Sequence, residues 1–122
     1  MKNKLSLVLG ASPKEDRYSN RAVKALKSHG FEVVAVGRGV GEIDGVEIQQ
    51  GQPHIENVDT VTLYIGPQHQ PEFYEYMLNL KPRRIIMNPG TENDELERKA
   101  KDQGIIVENA CTLVLLSIGN YF

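Results

Sequence analysis

The apolar run Leu5-Ser6-Leu7-Val8-Leu9 ends on Gly10-Ala11-Ser12-Pro13, and a helical pattern starts near Ser19. No other stretch limits the fold as tightly. The run has the length of a buried strand, and Ala22, Val23 and Leu26 recur at helical spacing after the polar loop Pro13–Tyr18. Strand, glycine turn and helix in that order form the unit on which α/β proteins hold phosphates. A helix start offers unpaired N–H groups and a partial positive charge. The loop adds Arg17, a fixed cation, and two hydroxyl donors, Ser12 and Ser19. A nucleotide-like ligand is the expectation.

The alternation continues along the chain. Gly30 ends the first helix, and Phe31–Val36 reads as a second strand rich in β-branched residues. Ile43-Asp44-Gly45-Val46 predicts a small hairpin where a full crossover helix would be expected, and Gln49–Asn57 reads as loop. Thr60–Ile65, Arg83–Met87 and Ile105–Val107 are the third, fourth and fifth core strands. Pro71 opens a helix whose apolar face is Phe73, Tyr76, Met77 and Leu80. Thr91 or Asn93 caps the next helix, which Gly104 ends. The apolar segment Ala110–Gly119 packs on the sheet as a final helix or forms part of a dimer contact. Together these elements predict an α/β, Rossmann-like, three-layer fold with a mostly parallel five-stranded sheet, as one domain over residues 1–122.

Composition removes several function classes. A net charge of −2 gives no support for a nucleic-acid binder. Met1-Lys2-Asn3-Lys4 leads straight into the first strand, and no apolar run is long enough for a signal peptide or a membrane span. The lone Cys111 forms no internal disulfide and no C-x-x-C pair, which argues against zinc and fits a reducing, cytoplasmic compartment.

In a doubly wound sheet the ligand lies beyond the carboxyl ends of the strands, at the switch point. The first strand is then central, with Thr60–Ile65 beside it. Gly66-Pro67 faces Gly10-Ala11-Ser12-Pro13, and Asn88-Pro89-Gly90 ends the neighbouring strand at the same rim. Glycine and proline also punctuate strand ends in proteins that bind nothing there. At the second strand's end stands Gly37-Arg38, where NAD-binding folds carry an acid for the ribose hydroxyls. An arginine there suits a phosphate on the ribose, which both NADP and coenzyme A carry. The alternative is a solvated arginine in a flexible loop. The G-x-G-x-x-G fingerprint is missing from the first turn, which argues against a standard dinucleotide-dependent dehydrogenase.

Catalytic candidates are poor. His29 lies near a helix end, His54 in a polar loop, and His69 after Gly66-Pro67. Cys111 lacks a visible activating base. No metal-ligand spacing is present.

Leu9-Gly10-Ala11-Ser12, with Arg17, Ser19 and Val23 at their spacings, resembles the small stand-alone CoA-binding domain proteins, which are similar to the nucleotide domain of the succinyl-CoA synthetase α subunit. His29-Gly30-Phe31-Glu32-Val33, Glu42-Ile43-Asp44-Gly45-Val46 and Val58-Asp59-Thr60-Val61 follow the family's pattern, as do Ala100, Gly104, Ile105, Val107 and Cys111. The resemblance implies CoA or an acyl-CoA as ligand. Gly10, Ala11, Ser12, Arg17 and Ser19 would surround its phosphates, and the second strand's end would lie near the adenosine. Gly66-Pro67 and Asn88-Pro89-Gly90 would line the crevice. Two departures stand out: Gly37-Arg38 replaces the family's Asn-Pro, and Glu108-Asn109-Ala110-Cys111 lacks its arginine. The synthetase's phosphorylated histidine belongs to a separate domain, which this sequence does not contain. The leading expectation is therefore a CoA binder without catalysis. The alternatives are an NADP-binding small oxidoreductase or nucleotide domain, and a ligand-free interaction module on the same fold. A homodimer or another protein partner stays open.

Overall fold

Seven strands form one sheet in the order β3-β4-β2-β1-β5-β6-β7. The computed structural model describes residues 4–121, and the expected lead-in Met1-Lys2-Asn3 lies outside them. The strands are β1 (Leu5–Leu9), β2 (Glu32–Val36), β3 (Glu42–Ile43), β4 (Val46–Gln49), β5 (Val58–Leu63), β6 (Arg84–Met87) and β7 (Ile106–Asn109). The helices are α1 (Tyr18–Ser28), α2 (Tyr74–Asn79), α3 (Asp94–Asp102) and α4 (Thr112–Ser117).

The five-strand expectation is corrected by the hairpin. β3 and β4 pair antiparallel across the Asp44-Gly45 turn, as the sequence predicts for that turn. β4 then pairs parallel to β2, with Ala35 opposite Ile48 and Val36 opposite Gln49. Without β4, the β2 edge would leave a row of backbone groups unpaired. Ile43 and Ile48 are buried, so the hairpin also extends one core. A local turn signal predicts the hairpin but not which sheet edge receives it.

Both faces of the sheet are covered. Leu7 and Leu9 of β1 point to one face, where Val61, Leu63, Ile85 and Met87 meet Met77 of α2 and Leu96 and Ala100 of α3. Val8 points to the other face and meets Val23 and Leu26 of α1, with Leu116 of α4. Apolar residues at successive positions in β1, β2 and β6 follow from this two-sided burial.

The α4 face is more polar. Ser6, Thr60, Thr62 and Arg84 are all buried. The Ser6 and Tyr121 hydroxyls lie 2.7 Å apart. Arg84 Nε donates to Thr60 Oγ1 at 3.2 Å, and Arg84 Nη1 donates to Glu108 Oε1 at 3.0 Å. Its guanidinium lies 4.6 Å from the Tyr121 ring centroid. The C-terminal segment thus closes over a charge that burial alone would penalise.

The helix expected from Pro71 is shorter than its apolar pattern. Two 3₁₀ turns, Pro67–His69 and Pro71–Phe73, precede α2. Each opens on a proline, whose missing N–H is tolerated at a first helical position. Asn93 rather than Thr91 caps α3: its Oδ1 accepts from Glu95 N at 3.0 Å and Leu96 N at 3.2 Å. Among the described residues, no helix is long and apolar enough to cross a membrane.

Candidate functional site

β1 is flanked by β2 and β5, both parallel to it. From β1 the chain first builds one side of the sheet, through β2, and then the other, through β5. The carboxyl end of β1 is therefore the switch point, and a cleft of about 750 Å³ opens there.

The turn after β1 is held by the next strand. Gly10 N and Ala11 N both donate to Val36 O, at 2.8 and 2.9 Å. These two amides serve the fold and are not aimed at the cleft. Gly10 has φ +99°, and a Cβ there would stand 3.0 Å from the Tyr64 carbonyl carbon. Asn20, buried in the first turn of α1, donates from Nδ2 to Ser12 O at 3.0 Å. Ser12 Oγ accepts from Lys14 N at 3.1 Å. The turn and the helix start are thus one braced unit.

The helix start itself is open. Arg17 is the N-cap of α1 and supplies no side-chain hydrogen bond, and no acid stands in the first turn. The positive end of this helix dipole meets no side-chain cap and no acid within the first turn itself.

The glycine-rich loop after β2 has a structural reason. A Cβ on Gly37 would stand 2.0 Å from Ala11 O, and one on Gly39 would stand 2.5 Å from Pro13 Cδ. These glycines let the loop lie directly on the β1 turn. Gly37 N donates to Gln49 O at 2.9 Å, which aligns the loop with β4.

Of the residues singled out from sequence, Gly10, Ala11, Ser12, Pro13, Arg17, Gly37 and Arg38 line the cleft. Gly66, Pro89, Gly90 and Ser19 line a neighbouring depression of about 270 Å³, which shares Gly10, Ser12 and Arg17 with the cleft. Pro67 and Asn88 line neither. Asn88 is buried and joins three elements: its Nδ2 donates to Thr62 Oγ1 at 2.8 Å and Leu63 O at 2.9 Å, and its Oδ1 accepts from Thr112 N at 2.9 Å.

Several lining residues escape sequence reasoning. Lys14 had a signal, since it lies two residues after Ser12 in the Arg17 loop. Gln50 and Gly51 arrive through the β2–β4 pairing, and Ile65, Glu72 and Phe73 through the β1–β5 pairing. Nothing in their own sequence marks them. Gln70 was also missed. It is fully buried, and its Nε2 donates to Ile65 O at 2.8 Å and Thr91 O at 2.9 Å, tying the ends of β5 and β6 together.

The cleft's lining holds one carboxylate, Glu72, and no histidine or cysteine. Tyr64, on the small depression, has its pKa pushed up to about 12 by burial, against the pull of the Thr62 and Thr112 hydroxyls. It stays protonated at neutral pH. His29 and His54 are exposed and lie elsewhere, with a ring nitrogen of His29 2.8 Å from Ala25 O and His54 Nε2 3.6 Å from Glu56 Oε2. His69 is exposed and lines neither cavity, and Cys111 is the half-buried residue preceding α4. Among the described residues, no three His, Cys, Asp or Glu side chains form a group that could hold a metal ion.

A mostly parallel α/β sheet with a cation-bordered cleft at its switch point defines a Rossmann-like domain. Residues 4–117 match the family described as CoA binding domain, and the chain belongs to that family. It is similar to a crystal structure of an uncharacterized protein at 52% identity and a TM-score of 0.94, covering 97% of this chain and 98% of that one. A conserved hypothetical protein from Pyrococcus furiosus is 26% identical with a TM-score of 0.77, covering 92% of this chain and 97% of that one. A protein from Thermus thermophilus is 21% identical with a TM-score of 0.84 over 97% and 90% of the two chains, a likeness of fold. No curated protein matches the chain.

Proposed function

We propose that this chain binds coenzyme A or an acyl-CoA in the cleft beyond β1 and performs no reaction on it alone. The observation that carries this reading is the open start of α1. It has no capping side chain and no acid in its first turn, and Arg17 and Lys14 border the cleft beside it. The ligand's pyrophosphate lies against that helix start, with Ser12 as a hydroxyl donor. Arg38, on the other wall, takes the phosphate on the ribose by paired charged hydrogen bonds. Family membership supports CoA as the nucleotide.

Isothermal titration with CoA, dephospho-CoA, NADP and NAD tests the reading. CoA is expected to bind, and dephospho-CoA to bind about tenfold more weakly, the worth of one charged hydrogen-bonded contact near the surface. Arg38→Ala is expected to abolish that difference, and Arg17→Ala to weaken both ligands by about tenfold. Tight NADP binding with no CoA binding would make the domain an NADP site instead. Absence of all four would leave an interaction module on a nucleotide-binding fold.

A further inference from the structure

Asp44-Gly45 is the only Asp-Gly step in the sequence, which has no Asn-Gly. It forms the turn between β3 and β4, with φ +49° at Asp44 and +86° at Gly45. Both residues are exposed. An aspartate followed by glycine is prone to rearrange. Its side-chain carboxyl lies within reach of the next main-chain nitrogen, and glycine has no Cβ to hinder the approach.

The groups that would react are free. Gly45 N donates in none of the backbone hydrogen bonds of the described residues. The Asp44 carboxylate enters none of their ion pairs. Lys27 Nζ, from α1, donates to Asp44 O, the carbonyl of the very peptide whose nitrogen would attack. A Cβ on Gly45 would stand 3.3 Å from the same Nζ, so the ammonium lies directly against this peptide. A cation on the carbonyl draws electron density from the amide and makes its N–H easier to remove. β3 consists of Glu42-Ile43 and pairs with β4 alone, so the turn opens without disturbing the rest of the sheet.

We propose that Asp44 is a site of spontaneous isoaspartate formation and that Lys27 promotes it. Gly45 N attacks Asp44 Cγ in the protonated carboxyl. The carboxyl OH and the amide proton leave together as water, closing a succinimide. Water then adds at the Asp44 main-chain carbonyl carbon and breaks its bond to Gly45 N. Gly45 is left attached through Cγ, with a free α-carboxylate at Asp44, and the net composition of the chain is unchanged. The main chain has gained one methylene within the turn, so the pairs Glu42–Glu47 and Ile43–Val46 lose their register. Ile48 N donates to Gly41 O at 2.9 Å, at the end of the loop that carries Arg38, so the product also loosens one wall of the cleft.

The test ages the full chain, K27M and K27R in mildly acidic buffer at body temperature. Isoaspartate is located by peptide mapping and counted by methyl transfer from S-adenosylmethionine with an isoaspartate-specific carboxyl methyltransferase. It is expected to accumulate at Asp44 ahead of every other Asp and Asn. Lys27→Met is expected to slow it about fivefold, the worth of one charged hydrogen bond at an exposed site, and Lys27→Arg, which still donates, to restore it. In denaturing urea the three proteins are expected to react at one rate, since the Lys27 contact is then gone. Absence of isoaspartate at Asp44 in the folded chain would overturn the inference. So would an equal or faster rate in K27M, which would make Lys27 a clamp that holds the turn closed, and so would a Lys27 effect that persists in urea. Lys27 is exposed, so both variants are expected to fold, and coincident thermal unfolding before ageing confirms it.

Discussion

Replacing Gly37 by alanine tests the contact that shapes the cleft. A Cβ at this position would stand 2.0 Å from Ala11 O and 2.9 Å from the carbonyl carbon behind it. Carbon and oxygen rarely approach closer than about 3.3 Å, so one backbone must move by about 1 Å. Neither is free to do so cheaply. Gly10 N and Ala11 N are held by Val36 O, and Gly37 N is held by Gln49 O. Overpacking against rigid backbone costs about 1–3 kcal/mol, and weakening one of these hydrogen bonds adds about 1 kcal/mol. Gly37→Ala is therefore expected to destabilise the chain by about 2–4 kcal/mol, a fall in Tm of about 8–16 °C for a domain of this size. The control is Gly30→Ala. Gly30 has φ +88° but nothing within 4 Å of an added Cβ, so it carries only the left-handed backbone cost of about 1 kcal/mol. Urea and thermal unfolding followed by circular dichroism rank the two. If G37A is no less stable than G30A, the close packing of the β2 loop on the β1 turn is not what requires glycine there, and the reasoning fails. Because the displaced turn carries the proposed phosphate site, G37A is also expected to lose CoA affinity.

Asn88→Ala is expected to cost about 2–4 kcal/mol in urea unfolding, because it removes one hydrogen bond from each of three buried groups, and N88D is expected to do no better since a carboxylate cannot donate to Leu63 O. Acid stability depends on Asp59. Burial raises its pKa, but hydrogen bonds from Arg83 and Thr60, with the charges of Arg83 and Lys4, outweigh that and hold it below the ordinary value of 3.8. A depressed carboxyl stabilises the fold above its unfolded value and loses that contribution as pH falls through its folded value. The urea midpoint is therefore expected to drop below about pH 4, and Asp59→Asn to be destabilised by about 1–2 kcal/mol at pH 7 with a flatter acid limb.

The fold was legible in the sequence wherever a local pattern had a single physical meaning. Leu5–Leu9 could only be a buried strand, Gly10 and Gly30 stand where positive φ is needed, and Ala22, Val23 and Leu26 do line the buried face of α1. The Asp44-Gly45 turn was equally plain, yet its destination on the β2 edge was not. The site divides in the same way. Gly10, Ser12 and Arg17 are near one another in sequence and stay together in space, because one strand–turn–helix unit carries them. Asn88-Pro89-Gly90 shows the limit of motif reading: Pro89 and Gly90 reach the small depression, while Asn88 turns inward to join β5, β6 and α4.

Short-range chemistry decided that this chain has a strand–glycine–helix unit with an open helix start, since backbone sterics and helix dipoles act over a few residues. Long-range packing decided what surrounds that unit. Gly37 is glycine because Ala11 lies under it, and Glu72 stands in the same cleft as Arg38 because β2 and β5 flank β1. Those contacts join residues far apart in the chain, and each depends on which strands become neighbours. That choice is settled by the burial of the two sheet faces together, which no single segment encodes.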